Sequence, residues 1–159
     1  MQIEPRISII TLGVADMARS IRFYRDGLGW PTDAADGAEW VIFRTLGVRL
    51  ALYPRIKLAQ DISPDVQPTQ PAFVGITLAH NVRSKTEVDA TLAAAESAGA
   101  KILKRAQAAE WGGYSGYFAD PDGYPWEVAW GEMWTFAPDG TLWGGPLGQE
   151  EQKTTNSHE

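Results

Sequence analysis

The chain has no cysteine among its 159 residues, which excludes disulfides, thiolate metal sites, iron–sulfur clusters and cysteine nucleophiles. Any chemistry must use oxygen and nitrogen groups. Basic clusters are lacking too: no run of Lys and Arg is longer than the pair Lys104 and Arg105, and the net charge is −6. A field of that sign repels phosphates, so nucleic acid is not expected as a partner. No stretch approaches the roughly 18 consecutive apolar residues of a membrane span. The opening MQIEPRISII also lacks the basic start and long apolar run of a secretory signal. The expectation is a cytoplasmic protein with no membrane partner. A hydrophobic content of 44% over this length suits one folding unit.

What is present is a repeat. Residues 7–14 (ISIITLGV) form a β-branched run suited to a buried strand, and Asp16 offers a helix N-cap. Met17, Ile21, Tyr24 and Leu28 follow on one helical face, and Gly29 can end that helix. Residues 40–45 and 48–53 then read as a hairpin about Leu46 and Gly47. Residues 54–71 contain four prolines and no sustained periodicity, the pattern of a long loop or linker. After it the order begins again: a strand over 73–79, a capping box at Ser84 and Glu87, and a helix with Val88, Leu92 and Ala95 on its apolar face. A short strand over 101–105 leads to a hairpin of 114–119 and 124–130 around Asp120, Pro121, Asp122 and Gly123. A smaller hairpin around residues 137–140 follows, and the polar residues 148–159 are expected to be disordered.

The duplicated unit, VADMARSIRFYRDGLGW after the first strand and GYFADPDGYPWEVAW closing the second copy together resemble the vicinal oxygen chelate superfamily. That superfamily includes glyoxalase I, extradiol dioxygenases, and fosfomycin and bleomycin resistance proteins. The resemblance spans about residues 5–147 and implies an α+β fold: two βαβββ modules whose mixed sheets curl around a cavity, with helices outside. One domain over 1–147 is expected, with module 1 about 5–56, a linker about 57–71, module 2 about 72–132 and a C-terminal hairpin about 133–147. A homodimer is expected from the same resemblance and from the prevalence of two-fold symmetry.

In metal-dependent members of the superfamily, ligands come from a His in each module's first strand and a carboxylate or similar group in each last strand. By resemblance these positions fall at Ile9, near Ala51, at Gly75 or Thr77, and at Glu127; only Glu127 matches. His80 has the opposite strand parity and reads as a surface residue, while His158 lies in the tail. A lone carboxylate does not hold a transition metal, because such sites need at least three protein ligands. No metal site of the family type and no cofactor are therefore expected.

If the turn at 120–123 pairs Ala119 with Tyr124, Gly116 lies opposite Glu127, and Tyr114 and Phe118 share the cavity face with them. Tyr117, Trp126, Val128 and Trp130 then face the core. The first hairpin puts Trp40, Ile42, Arg44, Arg49, Ala51 and Tyr53 on one face, with Arg49 beside the turn reading as a solvent residue. Trp111, before Gly112 and Gly113, is either a flap at the cavity mouth or a residue packed on a bulge. Candidate ligand-binding residues are thus Trp40, Arg44, Tyr53, Trp111, Tyr114 and Phe118, around Glu127.

Two functions fit these residues. One is metal-independent binding of a small molecule, with Glu127 pairing with a cationic or hydrogen-donating group. The other is a lyase- or isomerase-type enzyme in which Glu127 acts as acid or base. A third role for Glu127 is structural, with Tyr114, Arg44 or water as its partner, since an inward carboxylate needs a companion.

Overall fold

The computed structural model describes residues 7–69 and 75–142. The β-branched run forms β1 (Ile9–Val14), and the Asp16 carboxylate caps α1 (Met17–Ile21) by accepting from the Arg19 amide at 3.0 Å. The helix continues as a π-helical segment, Arg22–Gly27, in which the Leu28 amide donates to the Phe23 carbonyl at 2.9 Å. Within it the adjacent Phe23 and Tyr24 are both buried.

Strands β2 (Val41–Phe43) and β3 (Arg49–Pro54) pair antiparallel with Ile42 opposite Ala51, the register expected from a turn at Leu46 and Gly47. Gly47 takes a positive φ of 72° at that corner. β1 lies parallel to β3, giving the order β1-β3-β2. The further strand of the repeat is not formed here. Pro31 has no amide to donate and offers only its carbonyl to the Arg44 amide, while Thr32 reaches the Ile42 carbonyl through its hydroxyl.

The expected loop over 54–71 instead begins with a helix, α2 (Arg55–Ile62). It buries only Ala59, which is why no periodicity betrayed it. Pro54, just ahead of it, has no amide to leave unpaired at a helix start. The helix rests on β1 at Gly13, where an added Cβ would stand 3.2 Å from Leu58 Cδ2. It therefore covers the Gly13 end of the face that also carries Tyr53, the face expected to line an open cavity, and leaves Ile9, Trp40 and Ile42 on that face exposed.

In the second module β4 (Leu78–Asn81) starts later than expected, and Phe73 lies outside the described residues. Helix α3 (Lys85–Ser97) is capped by the Ser84 hydroxyl accepting from the Glu87 amide, and the Glu87 carboxylate returns to accept from the Arg83 amide. Strands β5 (Lys101–Ala108), β6 (Tyr114–Ala119) and β7 (Pro125–Trp130) complete a sheet of order β4-β7-β6-β5, with β4 parallel to β7. Both sheets thus place the first strand of a module parallel to its last. The C-terminal hairpin keeps one bridge, Phe136 to Leu142; Trp143 and the tail from 148 lie outside the described residues.

The core joins the modules. Leu12, Val14, Phe43 and Leu52 of the first sheet meet Phe118, Trp126 and Val128 of the second, with Ile21, Tyr24, Val88 and Leu92 from the helices. The sheets do not close into a barrel. Among the described residues no helix is long and apolar enough to cross a membrane.

Candidate functional site

The turn that closes the second module is a structural hub. Asp120 accepts at Oδ1 from the amides of Asp122 and Tyr124, and at Oδ2 from the Tyr24 hydroxyl at 2.5 Å. Asp122 crosses to the first module and accepts from the Ala15 amide, the Ser20 hydroxyl, Arg19 and Arg55. Burial pushes the Asp120 pKa up, against the hydrogen bonds it accepts, and the neighbouring Asp122 charge adds to the rise. Burial, followed by the Asp120 charge, also lifts the Tyr24 phenol well above its ordinary value, so it stays a donor at neutral pH.

The same turn corrects the expected register of its hairpin. Because the Asp120 side chain gathers the amides of residues 122 and 124, the Asp120 amide itself closes the loop on the Tyr124 carbonyl. Ala119 therefore pairs with Pro125, not Tyr124, and Glu127 faces Tyr117, not Gly116. One residue of slip exchanges the faces of β6. Gly116, Phe118 and Tyr114 turn to the helix side with Trp126, Val128 and Trp130. Phe118 stacks on Trp126 with 6.2 Å between ring centroids, and the Tyr114 hydroxyl donates to Asp89 of α3 at 3.0 Å.

The expected ligand-binding residues are accordingly dispersed. Glu127, partly buried, sits on the outer face between Tyr117 and Ala79. Burial, and then the Glu127 charge, raise the Tyr117 pKa, which keeps its phenol protonated beside the carboxylate. Trp40 and Tyr53 form an edge-on pair, 5.7 Å between centroids, next to α2. Burial and the Asp61 carboxylate raise the Tyr53 pKa. Trp111 lies across the glycines: an added Cβ at Gly113 would meet its ring at 1.8 Å, and one at Gly131 at 2.9 Å. Of the six ligand-binding candidates, Arg44 alone lines the cavity described next.

That cavity, about 800 Å³, opens on the core side between the two modules. Trp30, Ile10 and Leu50 bound it on one side, Leu78, His80 and Trp126 on another, and Phe136 and Leu142 of the C-terminal bridge on a third. Trp30 is fixed between Tyr24 and Trp126, each 5.4 Å away by ring centroid. His80 shares the parity of Val128, opposite to Glu127, and that parity turns it into the cavity. Desolvation lowers its pKa, with the Glu87 charge acting weakly the other way, so the imidazole is neutral at neutral pH.

Broken symmetry explains the space. In the second module the hairpin turn is drawn by its two Asp onto the corner between β1 and α1. The equivalent turn of the first module, Thr45 to Val48 (TLGV), has no carboxylate. The corner it would meet, between β4 and α3, is satisfied locally by Glu87, and the Arg83 guanidinium lies 4.5 Å over the Phe136 ring. The turn stays back, and the cavity lies between it and β4.

The residues present do not fit a family-type metal. Ile9 pairs with Arg49, Ala51 lies between Thr11 and Ile42, and the β4 neighbour of Glu127 is Ala79. Thr77, just before β4, donates its hydroxyl to the Pro125 carbonyl, and Gly75 lies outside the strand. Among the described residues no group of three or more His, Cys, Asp or Glu could hold an ion.

Two repeats of strand, helix and antiparallel strands, with the first strand of each parallel to its last, define the paired-module α+β class to which vicinal oxygen chelate proteins belong. A family model described as Glyoxalase/Bleomycin resistance protein/Dioxygenase superfamily matches residues 6–128, and the chain belongs to that superfamily. A glyoxalase-related enzyme from Fulvimarina pelagi is similar in structure at 34% identity and a TM-score of 0.78, over 87% of this chain and 97% of that one. A lactoylglutathione lyase from Agrobacterium tumefaciens shares the fold at 23% identity and a TM-score of 0.63, over 85% of this chain and 100% of its own. A glyoxalase/bleomycin resistance protein/dioxygenase from Nocardioides shares it at 22% identity and 0.68, over 82% and 85%. No curated protein sequence matches the chain.

Proposed function

We propose that this chain is a cytoplasmic small-molecule binding protein of the superfamily that works without the family metal, and that its ligand occupies the cavity between the modules. The observation that carries this reading is the cavity itself: about 800 Å³ with an aromatic lining, inside the range of roughly 300–1,000 Å³ typical of small-molecule sites. Trp30 and Trp126 give the pocket two rigid apolar walls, and His80, Asn81 and Thr45 supply a few hydrogen-bonding groups. The resistance proteins named in the family description are consistent with a binding role. Exposed Ile9, Trp40 and Ile42 on the first sheet support a homodimer, in which a second copy covers that apolar face.

The test is a titration of chelator-dialysed protein with a panel of bicyclic and tricyclic aromatic compounds, read by tryptophan fluorescence and melting temperature. At least one compound is expected to bind with one-to-one stoichiometry and a Kd of roughly 100 μM or tighter, raising the melting temperature by linkage. Binding that appears only after zinc, nickel or manganese is restored would overturn the metal-independent reading.

The pairing of Glu127 with a protonated Tyr117 supports a second reading, a lyase or isomerase. In the isomerase case Glu127 would remove a proton from carbon beside a carbonyl, Tyr117 would donate a hydrogen bond to the carbonyl oxygen, and Glu127 would return the proton to a neighbouring atom. For any turnover found, Glu127→Gln should cost on the order of 100-fold or more in kcat; unchanged kcat removes Glu127 from the chemistry.

A further inference from the structure

Strand parity decides which side chains reach the cavity. Ile10 of β1 pairs with Leu50 of β3, and Leu50 with Phe43 of β2, so these positions share the core side of the first sheet. Arg44 and Arg49 alternate with Phe43 and Leu50 and point to the other face, where Arg44 pairs with Asp33. In the second sheet Leu78 pairs with Trp126 and His80 with Val128, and these four share the core side. The walls that the strands contribute are thus apolar except at His80, and no Asp or Glu is among the described lining residues.

The hydrogen-bonding groups along the cavity are not equally available. The Thr45 hydroxyl already donates to the Val48 carbonyl at 2.7 Å and accepts from the Leu50 amide at 3.1 Å. The Thr77 hydroxyl donates to the Pro125 carbonyl at 3.1 Å, and the Thr141 hydroxyl bonds to Asp139. Asn81 alternates with His80 and so takes the other face of β4. His80 stands exposed at the cavity, and its neutral imidazole offers one donor and one acceptor. A charged group entering between these walls would shed its water with no opposite charge to meet it, whereas a single neutral hydroxyl would find the imidazole.

Resting on the reading of this cavity as a binding site, we infer that the part of the ligand held between the modules is uncharged: a flat aromatic body carrying one hydroxyl, hydrogen-bonded to His80. His80 is then the residue that selects among aromatic ligands of similar shape. A cationic group, the partner expected for Glu127, finds no carboxylate here, because Glu127 lies on the face of β7 opposite to Trp126 and Val128.

The experiment compares three ligands of nearly the same shape, 1-naphthol, 1-methylnaphthalene and 1-naphthoate, by isothermal titration at neutral pH on chelator-dialysed wild type, His80→Leu and His80→Gln. His80 is exposed, so its replacement should leave the melting temperature within a few degrees, and that is checked on each variant. The wild type should bind naphthol about fivefold more tightly than methylnaphthalene, the scale of one hydrogen bond, and about tenfold or more tightly than naphthoate. His80→Leu should cut the advantage over methylnaphthalene to about twofold or less, with methylnaphthalene bound no more weakly than by the wild type, and His80→Gln should retain part of it. Naphthoate bound as tightly as naphthol overturns the uncharged assignment while the cavity remains a binding site. A preference for naphthol over methylnaphthalene that is missing from the wild type, or that survives His80→Leu undiminished, overturns the hydrogen bond to His80. Failure of all three ligands to bind overturns the inference and the cavity reading together.

Discussion

Asp122→Ala is expected to lower the unfolding free energy by about 3–5 kcal/mol, the scale of breaking a buried charge-assisted network from one side. The carboxylate side chain is wholly buried and gathers donors from three separate segments of the first module. The Ala15 amide donates to it at 2.8 Å and the Ser20 hydroxyl at 2.6 Å, and both would lose their partner. Each orphaned buried donor costs about 1–3 kcal/mol. Arg19 and Arg55, with side chains 45% and 23% exposed, can turn to water and contribute less. Asp122→Asn keeps the shape and one acceptor oxygen, so its loss should be about half as large. Urea denaturation followed by far-ultraviolet circular dichroism measures both. A loss under about 1 kcal/mol for the alanine variant would show that the turn does not hold the modules together.

Gly116→Ala should also destabilise, by about 1–3 kcal/mol as overpacking, and Gly116→Val by more. An added Cβ would stand 2.6 Å from Leu92 Cδ1, 2.8 Å from the Lys104 carbonyl oxygen and 2.9 Å from the Ala106 nitrogen. The last two are backbone atoms of β5, at the irregularity between Lys104 and Gln107, and cannot step aside. The alternative, in which this glycine merely leaves room beside Glu127, predicts tolerance, since glycine to alanine without strain gains about 0.4–1 kcal/mol from the unfolded state. Thermal unfolding separates the two by sign: a fall of several degrees, at roughly 2–4 °C per kcal/mol for a chain of this size, against a small rise.

The architecture was legible because it is written twice. Strand, capped helix and hairpin recur with their caps at Asp16 and Ser84, and both caps form. The turn at Leu46 and Gly47 has no carboxylate, and the Thr45 hydroxyl takes the Leu50 amide without shifting the pairing, so its register could be counted correctly. The turn at residues 120–123 could not be counted the same way, because Asp120 accepts two amides and shifts the closure by one residue. That single slip assigned Tyr114 and Phe118 to the wrong face and hid Tyr117 as the neighbour of Glu127. Helix α2 left no trace because one buried alanine makes no periodic pattern.

The cavity was the harder feature to foresee. Trp126 reads as core and is packed as core against Trp30; the open space lies beyond them, where the first module's turn fails to close. The parity of His80, opposite to Glu127, can be read from the sequence, but a residue that reads as surface in fact lines the cavity. The signal was the contrast between the two turns, DPDG with its carboxylates and TLGV without. An unfilled core follows only once the two Asp are known to pull one turn into place.

The most direct measurement is a crystal structure of the protein with the tightest-binding compound of the aromatic panel bound. Ligand density between Trp30 and Phe136, with the Glu127 and Tyr117 face empty, is the predicted result. Density beside Glu127 with the cavity between the modules vacant would contradict the account.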